Sequence, residues 1–68
     1  MSVYKVIELV GTSEKSWADA AREAVETAGK TLQEIRVGEV TKLDIKVEDG
    51  KILYRTRLNL SFKYLDDK

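Results

Sequence analysis

The chain has no cysteine, no histidine and no proline, and only four glycines in 68 residues. Without cysteine there is no disulfide staple and no thiolate metal centre. Without histidine the commonest general base and the commonest transition-metal ligand are missing. No proline and sparse glycine leave no linker and no low-complexity segment, so residues 1–68 are expected to form one domain. An excess of one charge is missing as well: twelve Lys and Arg balance twelve Asp and Glu. That balance does not support nucleic-acid binding, for which a basic face would have to come from local segregation. No apolar run approaches the roughly 20 residues that span a bilayer. The opening MSVYKVIELV lacks the long apolar stretch and small-residue cleavage site of a signal peptide. The expectation is a soluble, cytoplasmic protein with no membrane partner.

A core of this size rarely supplies more than about 3–5 kcal/mol, and small chains usually add a staple. With disulfides and thiolate metals excluded, the remaining staple is oligomerisation, which buries surface a lone copy cannot.

What is present is a long hairpin. Asp49-Gly50 is a strong two-residue turn signal, because a type I′ turn needs positive φ at both central positions. Folding the chain there sets Val47 against Ile52, Ile45 against Tyr54, Leu43 against Thr56, Thr41 against Leu58 and Val37 against Phe62. A one-residue slip would turn this whole set to the other face, so the register is strongly specified. The strands are predicted over about 35–48 and 51–64. Glu39 and Val40 break the alternation, and a bulge near Gly38 would correct part of this. Val3 to Val10 reads as a further strand, apolar on both faces and so expected to be covered on two sides, one of them by a partner chain. Gly11-Thr12-Ser13 is expected to end it.

Between these strands lies a helix that starts at Ser16, with Asp19 at capping-box distance. Its apolar stripe is Trp17, Ala20, Ala21, Ala24, Val25, Ala28 and Leu32. Glu23, Glu26 and Lys30 are placed for a local ion-pair ladder, and Gly29 predicts fraying near Thr31. The tail Asp66-Asp67-Lys68 is expected to be loose. The fold class is therefore α+β: a β-α-β-β order with one helix packed on a three-stranded antiparallel sheet.

Several residues together resemble the dodecin family. They are Val6-Ile7-Glu8-Leu9-Val10-Gly11-Thr12-Ser13, the Ala-rich helix, Glu39-Val40, Tyr54-x-Thr56 and Ser61-Phe62-Lys63. The likeness covers nearly the whole chain. It implies a hollow homododecamer with helices outside and sheets inside. It also implies a protein that stores or sequesters a small ligand at subunit interfaces, flavin (FMN or riboflavin) in many members. By that resemblance Val37, Gly38 and Arg55 are ligand-binding positions, and the hairpin register adds Asp44, which faces Arg55. Val37 stands where flavin-binding members carry a stacking Trp, and Arg55 where they carry a Gln, so the chain is similar to the subgroup without that Trp. Aromatic stacking adds roughly 0.5–1.5 kcal/mol per pair, and Val37 has no flat face to provide it. Arg55 donates hydrogen bonds but accepts none, and suits a phosphate or carboxylate better than a flavin edge. Flavin binding in the family's usual manner is thus not expected; another planar or anionic metabolite fits the same position. For members without the Trp the resemblance implies calcium as the alternative ligand, with Asp44, Glu48 and Asp49 as weak oxygen-ligand candidates. A ligand-free structural assembly is the remaining alternative.

Arg55 faces Asp44 across the expected hairpin, as a plain cross-strand ion pair or as a ligand anchor oriented by the carboxylate. Lys42 faces Arg57, a like-charge pair that points to an anion or an acidic neighbour between them. Trp17 reads as a core or subunit-contact anchor. Tyr4, Tyr54, Phe62 and Tyr64 read as core or interface residues. Ser13 and Thr12 lack the base a nucleophile needs, and no proton-transfer group of suitable pKa is visible, so an enzyme is not expected.

Overall fold

The computed structural model describes residues 2–66. Along the chain come β1 (Ser2–Ser13), α1 (Trp17–Ala28), β2 (Ile35–Glu48) and β3 (Lys51–Asp66). The spatial order is β1-β3-β2, with both pairings antiparallel. The last strand therefore enters between the first two, and α1 lies in the connection between the two edge strands.

The core sits where the helix covers the central strand. Leu58 and Leu60 of β3 are fully buried against Ala20 and Ala24 of α1. Thr56, on the same side, is also buried, and its hydroxyl donates to the Trp17 carbonyl at 2.8 Å. Alanines let the helix lie close to the sheet and favour the helical state. Gly11 shows how close: a Cβ there would land on the Ala20 carbonyl oxygen. Gly11-Thr12-Ser13 therefore does not end the strand. These residues pair with Thr56, Arg55 and Tyr54, and the glycine is required by helix contact rather than by a break.

The helix begins as expected. Ser16 is extended at φ −169° and its hydroxyl accepts from the Asp19 N–H at 3.0 Å. The reciprocal half of the capping box is not made, because the Asp19 carboxylate accepts from the Ser13 hydroxyl at 2.7 Å and from Arg22. Glu26 meets Arg22 at 3.8 Å instead of extending a ladder to Lys30. The helix ends at Ala28, with Gly29 as its C-cap. The loose tail expected from Asp66 onward is not found at Asp66, which pairs with Ser2 as part of β3; Asp67 and Lys68 lie outside the described residues.

The turn has Asp49 at φ 51° and Gly50 at φ 76°, the left-handed pair that a type I′ hairpin needs. The expected register holds from Val47↔Ile52 through Ile45↔Tyr54 and Leu43↔Thr56 to Lys42↔Arg57. There it breaks. Thr41 is bulged, so Val40 rather than Thr41 meets Leu58. A second irregularity after Ile35 leaves Val37 opposite Ser61, and Phe62 opposite Ile35. The two irregularities fall at Arg36 and Thr41, on either side of Gly38, which itself pairs regularly with Leu60. Thr41 suits the break because its hydroxyl donates to the Arg57 carbonyl at 3.2 Å, giving that oxygen a partner where the ladder is disturbed. One extra residue returns Val40 to the helix side and sends Glu39 to the open face.

The helix lies over β1 and β3 and barely reaches β2. Val40, Leu43, Ile45, Val47 and Ile52 therefore stay exposed on the helix side of the hairpin. On the open face Val6, Val10 and Val37 are exposed as well. β1 is two-faced, as its pattern implies, and among the described residues nothing covers its second face.

Candidate functional site

The open face of the hairpin gathers the charged residues that the register aligns. Asp44 and Arg55 form a two-point ion pair, with Nε to Oδ1 at 2.7 Å and an Nη to Oδ2 at 3.0 Å. The Arg55 hydrogen bonds hold the Asp44 carboxyl below the usual carboxylate value, assisted by the charges of Arg57 and Lys42. Asp44 in turn raises the pKa of Arg55. The Asp44 backbone is fixed from the other face, where the Trp17 indole N–H donates to its carbonyl at 2.9 Å. The Trp17 ring meets Tyr54 edge-on, with centroids 5.1 Å apart. Trp17 is thus an anchor, as its stripe position suggests, but it ties the start of α1 to β2 instead of filling the core. The sequence carries a partial signal for this contact: Tyr54 and Leu43 flank the Asp44–Arg55 rung on the helix side.

Lys42 and Arg57 form the next rung, with Val10 of β1 beside Arg57, and Thr12 stands beside Arg55. Thr12, Arg55, Asp44, Lys42 and Arg57 therefore share one surface. Val37 does not join them. It faces the same side but lies roughly 20 Å further along β2, opposite Ser61, whose hydroxyl donates to the Val37 carbonyl at 3.3 Å. Gly38 points to the helix side, near Leu60, Leu58 and Val25. Within one protomer the four anticipated ligand residues thus divide into the Asp44–Arg55 pair, a distant Val37, and a Gly38 on the opposite face.

The carboxylates near the turn are differently placed. Glu48 lies 3.7 Å from the Lys46 ammonium. With Glu14, Asp49, Lys51 and Leu53 it borders a depression of about 260 Å³. These oxygen donors suit a hard cation. Among the described residues, however, no three acidic groups converge to metal-ligand geometry. The donor chemistry fits calcium; the donor count in a single protomer does not.

A feature that sequence reasoning did not anticipate is an apolar groove of about 540 Å³ between α1 and β1, bordered by Ile7, Leu9, Ala24, Ala28 and Leu32. It follows from the Gly11 contact, which draws one end of the helix down while β1 remains a free edge. Among the described residues no helix is long and apolar enough to cross a membrane.

The architecture and its sequence both have known counterparts. Residues 3–65 match the family model described as Dodecin. Calcium dodecin of Mycobacterium tuberculosis (strain ATCC 25618 / H37Rv) is 52% identical over 64 residues, covering 93% of this chain and 90% of that protein. The crystal structure of that organism's calcium dodecin, described as a calcium-chelating immunodominant antigen with a novel calcium-binding site, superposes with a TM-score of 0.86. It is 47% identical and covers 98% of this chain and 97% of its own. Dodecin from Streptomyces davaonensis gives a TM-score of 0.86 at 28% identity, with 97% of each chain covered. The β-α-β-β order, the inserted central strand and the matched sequence agree along almost the whole chain, which belongs to the dodecin family.

Proposed function

We propose that the chain is a dodecin-type storage protein that holds its ligand where copies of the chain meet, and that the ligand is calcium rather than a flavin. The observation that carries the reading is the 52% identity to a calcium dodecin over nearly the full length. Two features of the site support it. Val37 leaves the stacking position without an aromatic plane. Arg55 is held by both Asp44 oxygens through two of its five donors, which turns it toward that carboxylate and away from the role of an acceptor that a flavin N–H needs. Calcium takes six to eight oxygen ligands, and one protomer brings no three carboxylates together. A cation site therefore draws on more than one copy, and assembly and binding become one event. Of the three carboxylate candidates, Glu48 and Asp49 are better placed than Asp44, whose two oxygens are engaged by Arg55. In this reading the protein binds and releases its ligand without chemical change, as a homododecamer of the family type.

Calorimetric titration with Ca²⁺, and with FMN in parallel, tests the proposal on protein passed over a chelating resin. Heat with Ca²⁺, a rise in melting temperature at saturating Ca²⁺, and no response to FMN are expected. A visible flavin in the purified protein, or quenching of FMN fluorescence with no heat from Ca²⁺, overturns it.

A further inference from the structure

A chain that is neutral overall concentrates positive charge on one side of its hairpin. Lys42, Lys46, Lys51, Arg55 and Arg57 share the open face; Glu39 and Glu8 stand one rung beyond Arg57, beside Asn59, and the counter-charges within the same rungs are Asp44 and Glu48. Those two are engaged, Asp44 by Arg55 at 2.7 Å and Glu48 by Lys46 at 3.7 Å. Lys42 and Arg57 face each other directly across the ladder, and among the described residues neither makes an ion pair. Like charges in that position are unfavourable. An oxyanion between them removes the repulsion and adds charge-assisted hydrogen bonds.

We propose that Lys42 and Arg57, with Thr12 and Arg55 at the border, form a phosphate-binding site on the open face of the sheet. The guanidinium of Arg57 gives a planar fork for two oxygens, and Lys42 a point charge from the neighbouring strand. Thr12 stands beside Arg55 on β1, with no hydrogen bond to its hydroxyl among the described residues. Asp44 is hydrogen-bonded to Arg55 and makes no ion pair with Arg57 among the described residues. Donors on three adjacent strands suit a tetrahedral anion with several oxygens better than a carboxylate with two. The surplus of cations favours a doubly charged ligand. The site is separate from the turn carboxylates and stands whether or not calcium binds them.

The test uses native protein in metal-free buffer, melted in sodium phosphate and in sodium chloride at matched ionic strength. Phosphate is expected to raise the melting temperature above the chloride value. Calorimetry with inorganic phosphate is expected to show affinity about tenfold weaker in Arg57→Gln and in Lys42→Gln, and unchanged in Lys30→Gln beyond the helix end. In chloride both site variants should melt at or above the native temperature, because a repulsion has been removed. Broadening of the ³¹P resonance of phosphate on native protein, reversed by pyrophosphate, gives a readout that needs no variant. Equal melting in the two salts, an unbroadened resonance, or full phosphate affinity in Arg57→Gln overturns the proposal. A fall in oligomer mass in Arg57→Gln without any phosphate response also overturns it, and would place a neighbouring copy's carboxylate on this patch. Loss of calcium heat with phosphate binding intact would instead count against the calcium reading alone.

Discussion

Asp44 is held from two directions, by Arg55 through its side chain and by Trp17 through its carbonyl. Its carboxyl pKa is lowered in the fold, chiefly by the Arg55 hydrogen bonds, and that of Asp19 chiefly by Arg22 and then Ser13. A lowered folded pKa means that the native state favours the charged form. The stabilisation is complete above the ordinary carboxylate value of about 4 and is lost as pH falls through the lower folded values. Urea midpoints measured across that acid range should decline for the native chain, and Asp44→Asn should flatten part of the decline. An unchanged slope in Asp44→Asn would show that the ion pair does not outlast solvent screening. Glycines at this scale separate by what a methyl would touch. Gly11→Ala drives a Cβ into the Ala20 carbonyl and is expected to cost roughly 1–3 kcal/mol. At Gly38 the same methyl finds ordinary contacts with Leu60 and Leu58, and φ is not positive. Gly38→Ala is therefore expected to be neutral or to stabilise by up to about 1 kcal/mol. Denaturant midpoints of the two variants decide whether the helix contact at Gly11 is as close as described. The sequence marks both positions only as glycine. It cannot show which one lies under a helix, because that depends on a packing distance between distant segments.

Among the elements, the helix start and the hairpin carry most of the specification. Trp17→Phe keeps an edge-on ring against Tyr54 and removes the hydrogen bond to Asp44. The expected loss is about 1 kcal/mol, read as a lower melting temperature with the helical circular dichroism intact. A variant as stable as the parent would show that α1 is held by Thr56 and the alanines alone. The hairpin register is legible in the sequence from Asp49-Gly50 as far as Lys42↔Arg57, because turn chemistry and alternation agree there. Beyond that rung the two disagree. The Glu39-Val40 anomaly signals a bulge, but its place at Thr41 depends on a hydroxyl reaching a carbonyl across the ladder, which no periodicity records. Alternation also says which face a residue takes and not which strand is its neighbour. The insertion of β3 between β1 and β2 is therefore seen only in three dimensions. The same limit applies to the site. The Asp44–Arg55 pair follows from the register, whereas the separation of Val37 from it, and the engagement of Asp44 by Trp17, follow from the assembled layers.

As a whole the molecule is thin for its length, with principal extents of 53 × 21 × 14 Å, and its fully covered apolar side chains are few. The helix shields the middle of the sheet and leaves Val40, Leu43, Ile45, Val47 and Ile52 in a row beyond its reach, with Val47 as much as 69% exposed. These side chains are already about half covered, so finishing the burial of each is worth roughly half of the 1.5–3 kcal/mol of a full burial. Five in a row then match the roughly 3–5 kcal/mol that a core of this size contributes by itself. If a neighbouring copy covers the row, it supplies the missing stability and the melting temperature depends on protein concentration. Native mass spectrometry of the unmodified chain at micromolar concentration should report a multimer, with the dodecamer as the family expectation. Ile45→Asp places a charge in the centre of the row without touching the turn, the Asp44–Arg55 pair or the buried Leu58 and Leu60. It is expected to shift the mass toward smaller species and to lower the melting temperature by more at low concentration than at high. Val47→Asp, nearer the turn and more exposed, should act in the same direction. If both variants keep the parent mass, the row faces solvent in the assembly and the contact between copies lies on the open face or along the groove beside β1. If the unmodified chain is a cooperatively folded monomer at micromolar dilution, assembly is not what completes its core, and a ligand site shared between copies is lost with it.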